Sequence, residues 1–144
     1  MKISSQYQIE QAIASKDNKL ASKRKLRRRL NYLNKKLSYG NYFLDCNNHP
    51  CIIKENNIYP YYPYDSYVVG KSLVSDNETS CSILHCGPEP IPKQKALEMV
   101  SCIKEKGWFQ YLKDFLGYND LAIEEYKKLN EIWDFTRNIP KEYL

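Results

Sequence analysis

The distribution of helix breakers is the sequence feature that most constrains the fold. The first 39 of the 144 residues contain no glycine or proline, whereas all five glycines and seven prolines lie from Gly40 onwards. These two residues are the ones that helix interiors tolerate least. Four leucines recur at helical spacing and form one apolar stripe: Leu26, Leu30, Leu33 and Leu37. The pattern predicts a long N-terminal helix that ends near Gly40.

The middle of the chain changes to short β-prone runs separated by turn residues. The strand candidates are residues 42–46, 51–55, 67–69 and 80–86. The first two flank the turn-forming residues Asn47–Pro50, an arrangement typical of a hairpin. A second turn is predicted at Asn56–Asn57. We expect a small antiparallel sheet of about four short strands.

Helical spacing returns after the breaker cluster Gly87–Pro92, which we interpret as a boundary. Gly107 and Gly117 are predicted to end two helices, and Asn119 to cap a last one. The apolar stripe of that last helix is predicted to contain Ala122, Tyr126, Leu129 and Trp133. The order of elements predicts an α+β fold with two to three C-terminal helices. We expect one domain, with a basic helical arm over residues 1–40 and a compact body over 41–144.

The net charge of +5 conceals a strong asymmetry along the chain. Residues 1–40 carry eleven Lys and Arg against two acids, whereas residues 41–144 carry eleven against fifteen. Most of the excess lies in ten cations of the predicted helix: Lys16, Lys19, Lys23, Arg24, Lys25, Arg27, Arg28, Arg29, Lys35 and Lys36. Such asymmetry favours a basic arm that meets an acidic partner.

The composition of the basic helix favours nucleic acid, either RNA or DNA, or a nucleoprotein complex as that partner. Arginine forks grip phosphate or a base edge with two hydrogen bonds, and Asn31 and Asn34 add amide groups that can pair with bases. The alternatives are an acidic protein partner and a solvated helix face. We therefore predict a non-enzymatic nucleic-acid- or nucleoprotein-binding protein.

A tyrosine-rich segment follows the predicted hairpin. Its five tyrosines are Tyr59, Tyr61, Tyr62, Tyr64 and Tyr67, with Pro60 and Pro63 among them. The prolines exclude a regular central strand. Rings of this kind can stack on unpaired bases, but we favour the interpretation that they pave an irregular loop against the core.

The cysteines and histidines form two groups, C-x2-H-x-C from Cys46 and C-x3-H-C from Cys81. The first group, joined by one ligand of the second, provides zinc candidates at Cys46, His49, Cys51 and Cys86. In a strand, Cys86 would point away from Cys81 and His85. Ordinary buried thiols are the favoured interpretation, and we expect no cofactor. The chain has no phosphate-binding loop or nucleophile-elbow motif, which argues against an enzyme.

Two further alternatives remain at the level of function. The protein could be a phage or mobile-element inhibitor that blocks a host complex, for example a defence complex, through protein–protein contact. It could also be a small zinc protein or a Cys/His enzyme. No apolar run reaches the roughly 18 residues of a membrane helix, and the N-terminus lacks the apolar core of a signal peptide. We therefore expect a cytoplasmic protein without membrane contact.

Overall fold

The computed structural model describes residues 19–59 and 61–144. The predicted start of the N-terminal helix, and with it Lys16, lies outside these ranges. In chain order the elements are α1 (Lys19–Lys36), β1 (Tyr42–Leu44), β2 (Pro50–Asn57), β3 (Tyr67–Ser72), β4 (Glu78–Ser82), β5 (Glu89–Ile91), α2 (Lys93–Lys106), α3 (Trp108–Leu116) and α4 (Asp120–Trp133). The predicted α+β fold is confirmed.

The sheet has the order β4-β3-β2-β1-β5, and every neighbouring pair is antiparallel. The predicted hairpin is confirmed, with Leu44 opposite Pro50. The chain then returns so that Glu89 lies opposite Leu44. A fifth strand therefore forms inside the segment Gly87–Pro92, where we predicted only a boundary, because Pro90 occupies an edge strand that tolerates a missing donor.

Every strand differs from its predicted limits. β1 ends at Leu44, β2 already begins at Pro50, and β3 continues to Ser72. Asn56 and Asn57 do not form a turn, because β2 continues through them and pairs with β3. The strand predicted over residues 80–86 begins earlier, at Glu78, and ends at Ser82. Residues 83–86 form a turn in which the amide of Cys86 donates to the carbonyl of Ser82 over 2.9 Å.

The core consists of two clusters on opposite faces of the sheet. Adjacent residues of β1 point to opposite faces, and Phe43 belongs to one cluster while Leu44 belongs to the other. The Phe43 cluster contains the leucines of α1. The Leu44 cluster contains side chains of α2 and α3, including Trp108 and Tyr111. The sheet thus separates the basic helix from the C-terminal helices.

The leucine stripe fixes α1 to the sheet. Leu30, Leu33 and Leu37 are at most 2% exposed, and Leu26 packs against the same cluster. Burial of one such side chain is worth about 1.5–3 kcal/mol. Over this range the basic helix therefore packs on the body and does not project from it.

A close approach between the Phe43 ring and Gly70 fixes how Phe43 sits in this layer. Gly70 on β3 is fully covered by the Phe43 ring, and a Cβ atom at Gly70 would collide with two ring carbons. Glycine is required here by space, since a side chain would force the ring out of the core.

The first two C-terminal helices end, and the last one begins, where the sequence predicts. Gly107 and Gly117 terminate α2 and α3, and the side chain of Asn119 accepts a hydrogen bond from the amide of Ala122 over 2.7 Å. The predicted apolar stripe of α4 is wrong in its last turns. Leu129 and Trp133 are 39% and 67% exposed, whereas Ile123 is the buried residue of this helix.

None of the helices within residues 19–144 that the structure describes combines the length and the apolar character needed to cross a lipid bilayer.

Candidate nucleic-acid interface

The polar side of α1 presents a dense set of cations to solvent. Its exposed side chains include Lys23, Arg24, Lys25, Arg27, Arg28, Asn31, Lys35 and Lys36. Arg29 is half-buried, and Lys19 lies in the first turn of the described helix. The predicted cations from Lys23 onwards are therefore displayed along about four turns of one helix.

Within the part of the chain that the structure describes, these cations form no ion pair with the acidic body. The ion pairs of the described residues join side chains between Lys71 and Lys127, and none involves residues 23–36. Like charges at helical spacing repel one another, so the free protein carries an electrostatic cost that an anionic ligand would relieve.

Two asparagines hold the C-terminal end of α1 in place. The side-chain amide of Asn56 donates to the carbonyl oxygens of Asn34 and Leu37 over 3.2 and 3.0 Å. The amide of Asn41 donates to the Lys36 carbonyl over 3.0 Å. The last carbonyls of a helix have no partner within it. These bonds satisfy them and join the helix to the sheet.

The tyrosine segment is organised around one buried hydroxyl. Oγ of Ser66, which is 1% exposed, accepts from the Tyr59 amide over 2.8 Å. It also lies 3.1 Å from the carbonyls of Tyr59 and Tyr62, which share its proton. A 3-10 turn at Pro63–Asp65 and the buried side chain of Ile58 complete the loop. Its backbone is thus fixed from within.

The rings of this segment point mostly outwards. Their exposed fractions are 47% for Tyr59, 71% for Tyr61, 67% for Tyr62, 67% for Tyr64 and 37% for Tyr67. Our interpretation that they pave the loop against the core is therefore wrong. Because Ser66 and Ile58 anchor the loop, the rings are not needed to bury it.

The basic helix and the tyrosine segment meet where Arg27 lies over a tyrosine ring. The guanidinium of Arg27 lies 4.8 Å from the centre of the Tyr61 ring. Within the helix itself, the guanidinium of Arg29 lies 5.3 Å from the centre of the Tyr32 ring. The Arg29 Nε atom is buried without a hydrogen-bond partner. Tyr32 was missed in the sequence, although its position three residues after Arg29 is a contact spacing on a helix.

The histidine of the first group takes part in a buried polar cluster. Nδ1 of His49 lies 3.0 Å from Oγ of Ser72, and its ring centre lies 5.3 Å from that of Trp108. Oγ of Ser72 also accepts from the amides of Val74 and Ser75. Both lone pairs of this hydroxyl therefore accept hydrogen bonds from backbone amides.

The predicted zinc ligands divide between two places. The Cys51 thiol lies 3.4 Å from the His49 carbonyl and 3.7 Å from the carboxylate of Asp45, whereas Cys46 is exposed in the turn after β1 and Cys86 is half-buried in the turn after β4. Within residues 19–59 and 61–144 no group of three or more His, Cys, Asp or Glu side chains has an arrangement that could hold a metal ion.

The second cysteine group differs from its predicted geometry. The strand ends at Ser82, and the turn at residues 83–86 packs Cys86 against the core cluster that contains Cys81. The prediction that these two thiols point apart is therefore wrong, because it assumed continuous strand pleating.

Comparison with known proteins finds no matching family model, no matching curated protein and no matching solved structure. Function therefore rests on the geometry of the site. Its main feature is the arginine–tyrosine surface, which we define as the exposed cations at residues 23–36 together with the five tyrosines of residues 59–67.

Proposed function

We propose that the protein binds nucleic acid through the arginine–tyrosine surface, without catalysing a reaction. The observation that carries the proposal is the contact between Arg27 and Tyr61, which joins unpaired cations and exposed rings into one surface. Cations that follow a phosphate backbone beside rings that stack on bases are the usual combination in single-strand binding. Unpaired regions of RNA or DNA are therefore the expected ligand.

The dimensions of the surface support a short binding site. Residues 23–36 span about 20 Å at the rise of an α-helix. Not all the cations on this helix can face one strand, and we expect about four phosphate contacts. For single strands this number gives a slope near −3 for log affinity against log salt concentration.

The proposal is tested with oligonucleotides of equal length, one single-stranded and one duplex, at several salt concentrations. The variant Arg24→Ala/Arg27→Ala/Arg28→Ala should weaken binding by about 100-fold at low salt, because three charge-assisted contacts are lost. The slope of its log affinity against log salt concentration should become less negative by about 2. Alanine keeps the helix propensity high, so the fold should persist.

A charge-matched control separates local contacts from net charge. Lys95→Ala/Lys104→Ala/Lys128→Ala removes the same three charges from exposed positions of α2 and α4. This control should bind nearly as well as the original protein. Equal weakening by both triple variants, or no binding to any oligonucleotide below 100 mM salt, would contradict the proposal.

A second candidate function is recognition of a protein partner, as in an inhibitor of a host complex. It is favoured by the exposed apolar residues of α4, where Leu121, Ile132 and Trp133 are 81%, 73% and 67% exposed. Ile132 and Trp133 are neighbours in sequence, and exposed apolar patches are typical of protein contact sites. A partner retained after nuclease treatment and lost with Ile132→Ser/Trp133→Ser, but not with the arginine variant, would favour this function.

A further inference from the structure

The apolar stripe predicted for α4 lines a cleft instead of filling the core. Ala122, Tyr126 and Leu129 lie on one side of the helix at helical spacing, and all three line a cleft of about 460 Å³. Tyr118 and Phe135, which precede and follow α4, line the same cleft. A cleft of this size with mostly apolar walls is typical of a small-molecule site.

The second wall of the cleft is the turn after β1, which contributes Asn47 and Asn48. The Asp45 carboxylate accepts hydrogen bonds from the amides of Asn47 and His49, each over 2.9 Å. The Asp45 amide donates to the His49 carbonyl over 3.1 Å. The turn is therefore held in one backbone conformation by a buried carboxylate.

Both walls are fixed to neighbouring side chains of α3. The Tyr111 hydroxyl donates to the carbonyl of Asn48 over 2.7 Å. The indole N–H of Trp108 donates to the Tyr126 hydroxyl over 3.2 Å. The rings of Trp108 and Tyr111 are fully buried, and their centres lie 5.1 Å apart. The cleft is thus formed in advance, which reduces the entropy cost of binding a ligand.

Three aromatic rings of different orientation line the cleft. The ring centres of Tyr118 and Tyr126 lie 6.2 Å apart with an interplanar angle of 75°. Those of Tyr126 and Phe135 lie 5.3 Å apart with an angle of 42°. Because neither pair is parallel, a flat ring cannot be sandwiched between them. The short separations do allow one rounded cation to lie within about 6 Å of more than one ring centre, which is the range of a cation–π contact.

The charge of the cleft also favours a cation. Among the described side chains that line it, Glu125 carries the only formal charge, and no lysine or arginine is present to bind an anion. Glu125 is exposed, so it marks the side of the cleft that solvent reaches. The side-chain amides of Asn47 and Asn48 can pair with a polar group attached to the cation.

We propose that this cleft binds a small molecule that carries a quaternary ammonium group, with choline as the simplest example. The rings of Tyr118, Tyr126 and Phe135 receive the cation, and Glu125 adds electrostatic attraction. The cleft belongs to the side of the sheet that carries the C-terminal helices, whereas α1 packs on the other side. The inference is therefore independent of nucleic-acid binding.

The test compares choline with its neutral isostere dimethylbutanol, in which carbon replaces the nitrogen. The two molecules have nearly the same shape and differ in charge. In NMR titrations of the original protein, choline should bind with a Kd of about 1 mM or below, as expected for a ligand of its size. Dimethylbutanol should bind at least about fivefold more weakly. Equal affinities, or no shift with choline up to about 10 mM, would overturn the proposal.

The position and the source of the ligand are tested in the same experiment. Nuclear Overhauser effects should join the N-methyl protons of choline to ring protons of Tyr118, Tyr126 and Phe135. Effects to other rings only would contradict the site. A peptide with trimethyl-lysine presents the same cation on a protein, and binding about tenfold tighter than that of choline would overturn the assignment to a small molecule.

Variants separate the rings from the shape of the cleft. Tyr118→Leu and Phe135→Leu each remove one ring but keep an apolar side chain. Each should weaken choline binding about fivefold and leave the binding of dimethylbutanol nearly unchanged. Tyr64→Leu removes an exposed ring from the loop between β2 and β3 and should bind choline as the original protein does. Equal losses for both ligands in the two cleft variants would overturn the cation–π role.

A matched pair of charge variants tests the carboxylate. Glu125→Gln should weaken choline binding about two- to fivefold at low salt, a modest effect because the side chain is exposed. Glu124→Gln removes the same charge from the neighbouring exposed position, which does not line the cleft. This control should bind as the original protein does, and equal weakening by both variants would overturn the role of Glu125.

Discussion

The guanidinium of Arg27 lies 4.8 Å from the centre of the Tyr61 ring, so the basic helix and the tyrosine segment are joined by a side-chain contact. Both groups remain accessible, since Arg27 is exposed and Tyr61 is 71% exposed. The contact holds a positive charge over one face of the ring. It leaves the rest of the ring available to a ligand.

The ring of Tyr61 should contribute to nucleic-acid affinity through stacking. We expect Tyr61→Ala to weaken binding to a single-stranded oligonucleotide by about 5- to 150-fold, which corresponds to 1–3 kcal/mol for one stacked base. Tyr61→Phe keeps the ring and should bind nearly as well as the original protein. Fluorescence anisotropy with a labelled oligonucleotide measures both variants.

Polyphosphate provides a ligand control for this prediction, because it offers charge without bases. Tyr61→Ala should bind polyphosphate as the original protein does. Trp133→Ala, which removes an exposed ring from α4, should leave oligonucleotide binding unchanged. Equal loss of affinity for both ligands would show that Tyr61 acts through the fold and not through stacking.

The side chain of Asn56 should stabilise the fold by holding the end of α1. Asn56→Ala removes its bonds to the carbonyls of Asn34 and Leu37, and we expect a loss of about 1–3 kcal/mol in the free energy of unfolding. Asn56→Asp should lower the free energy of unfolding at least as much, because it places a carboxylate oxygen, which cannot donate, against the carbonyl oxygens of Asn34 and Leu37. Urea denaturation measures these values.

The neighbouring residue Asn57 is the matched control for that prediction. It lies in the same strand, is half-buried, and has no side-chain hydrogen bond among the bonds of the described residues. Asn57→Ala should change stability by less than about 0.5 kcal/mol. A similar loss in both alanine variants would argue against a specific role for Asn56.

The contact between Gly70 and Phe43 should make Gly70→Ala destabilising. The added methyl group meets the Phe43 ring, and overpacking of this kind costs about 1–3 kcal/mol. Phe43→Leu in the same chain should recover part of the loss, because the smaller side chain makes room. Thermal unfolding of the two single variants and the double variant measures the coupling. Additive losses would be inconsistent with a direct clash.

Stability should fall at alkaline pH partly because of Tyr111. Burial, followed by the nearby Asp45, raises the pKa of Tyr111 above its ordinary value of 10.0. Above that pH the unfolded chain loses a proton that the folded protein retains. The stabilisation is therefore complete below pH 10 and declines as the pH rises beyond it.

Tyr111→Phe tests this pH dependence. At pH 7 it should cost about 0.5–1.5 kcal/mol, because the hydroxyl donates to the Asn48 carbonyl over 2.7 Å. Between pH 9.5 and 11 its stability should decline less steeply than that of the original protein. The exposed Tyr64→Phe is the control and should follow the original curve. Urea titrations at each pH measure the slopes, and parallel curves for Tyr111→Phe would contradict the prediction.

The sequence predicts the elements whose signals are local. The leucine spacing correctly identifies the buried side of α1, and Asn119 caps α4 as expected. The fifth strand could not be predicted, because three residues with a proline carry no strand signal of their own. It forms because the edge of β1 that does not pair with β2 is available to pair with Glu89–Ile91.

Only part of the candidate site was predicted, because only that part has a local signal in the sequence. The cations of α1 are visible as a run in the sequence, whereas the outward direction of the tyrosines depends on Ser66 and Ile58 holding the loop. The position of Cys86 depends on the turn at residues 83–86. The pattern of residues 80–86 resembles a strand too closely to reveal that turn.

From the strand order we expect one part of the sheet to form before the other during folding. Strands β1 to β4 form a meander in which each strand pairs with the next along the chain. Among the strands that the structure describes, only β5 pairs with a strand distant in sequence, and closing that loop costs more entropy than closing a hairpin. The meander is therefore expected to assemble first, and the docking of β5 brings the three C-terminal helices onto a sheet that already exists.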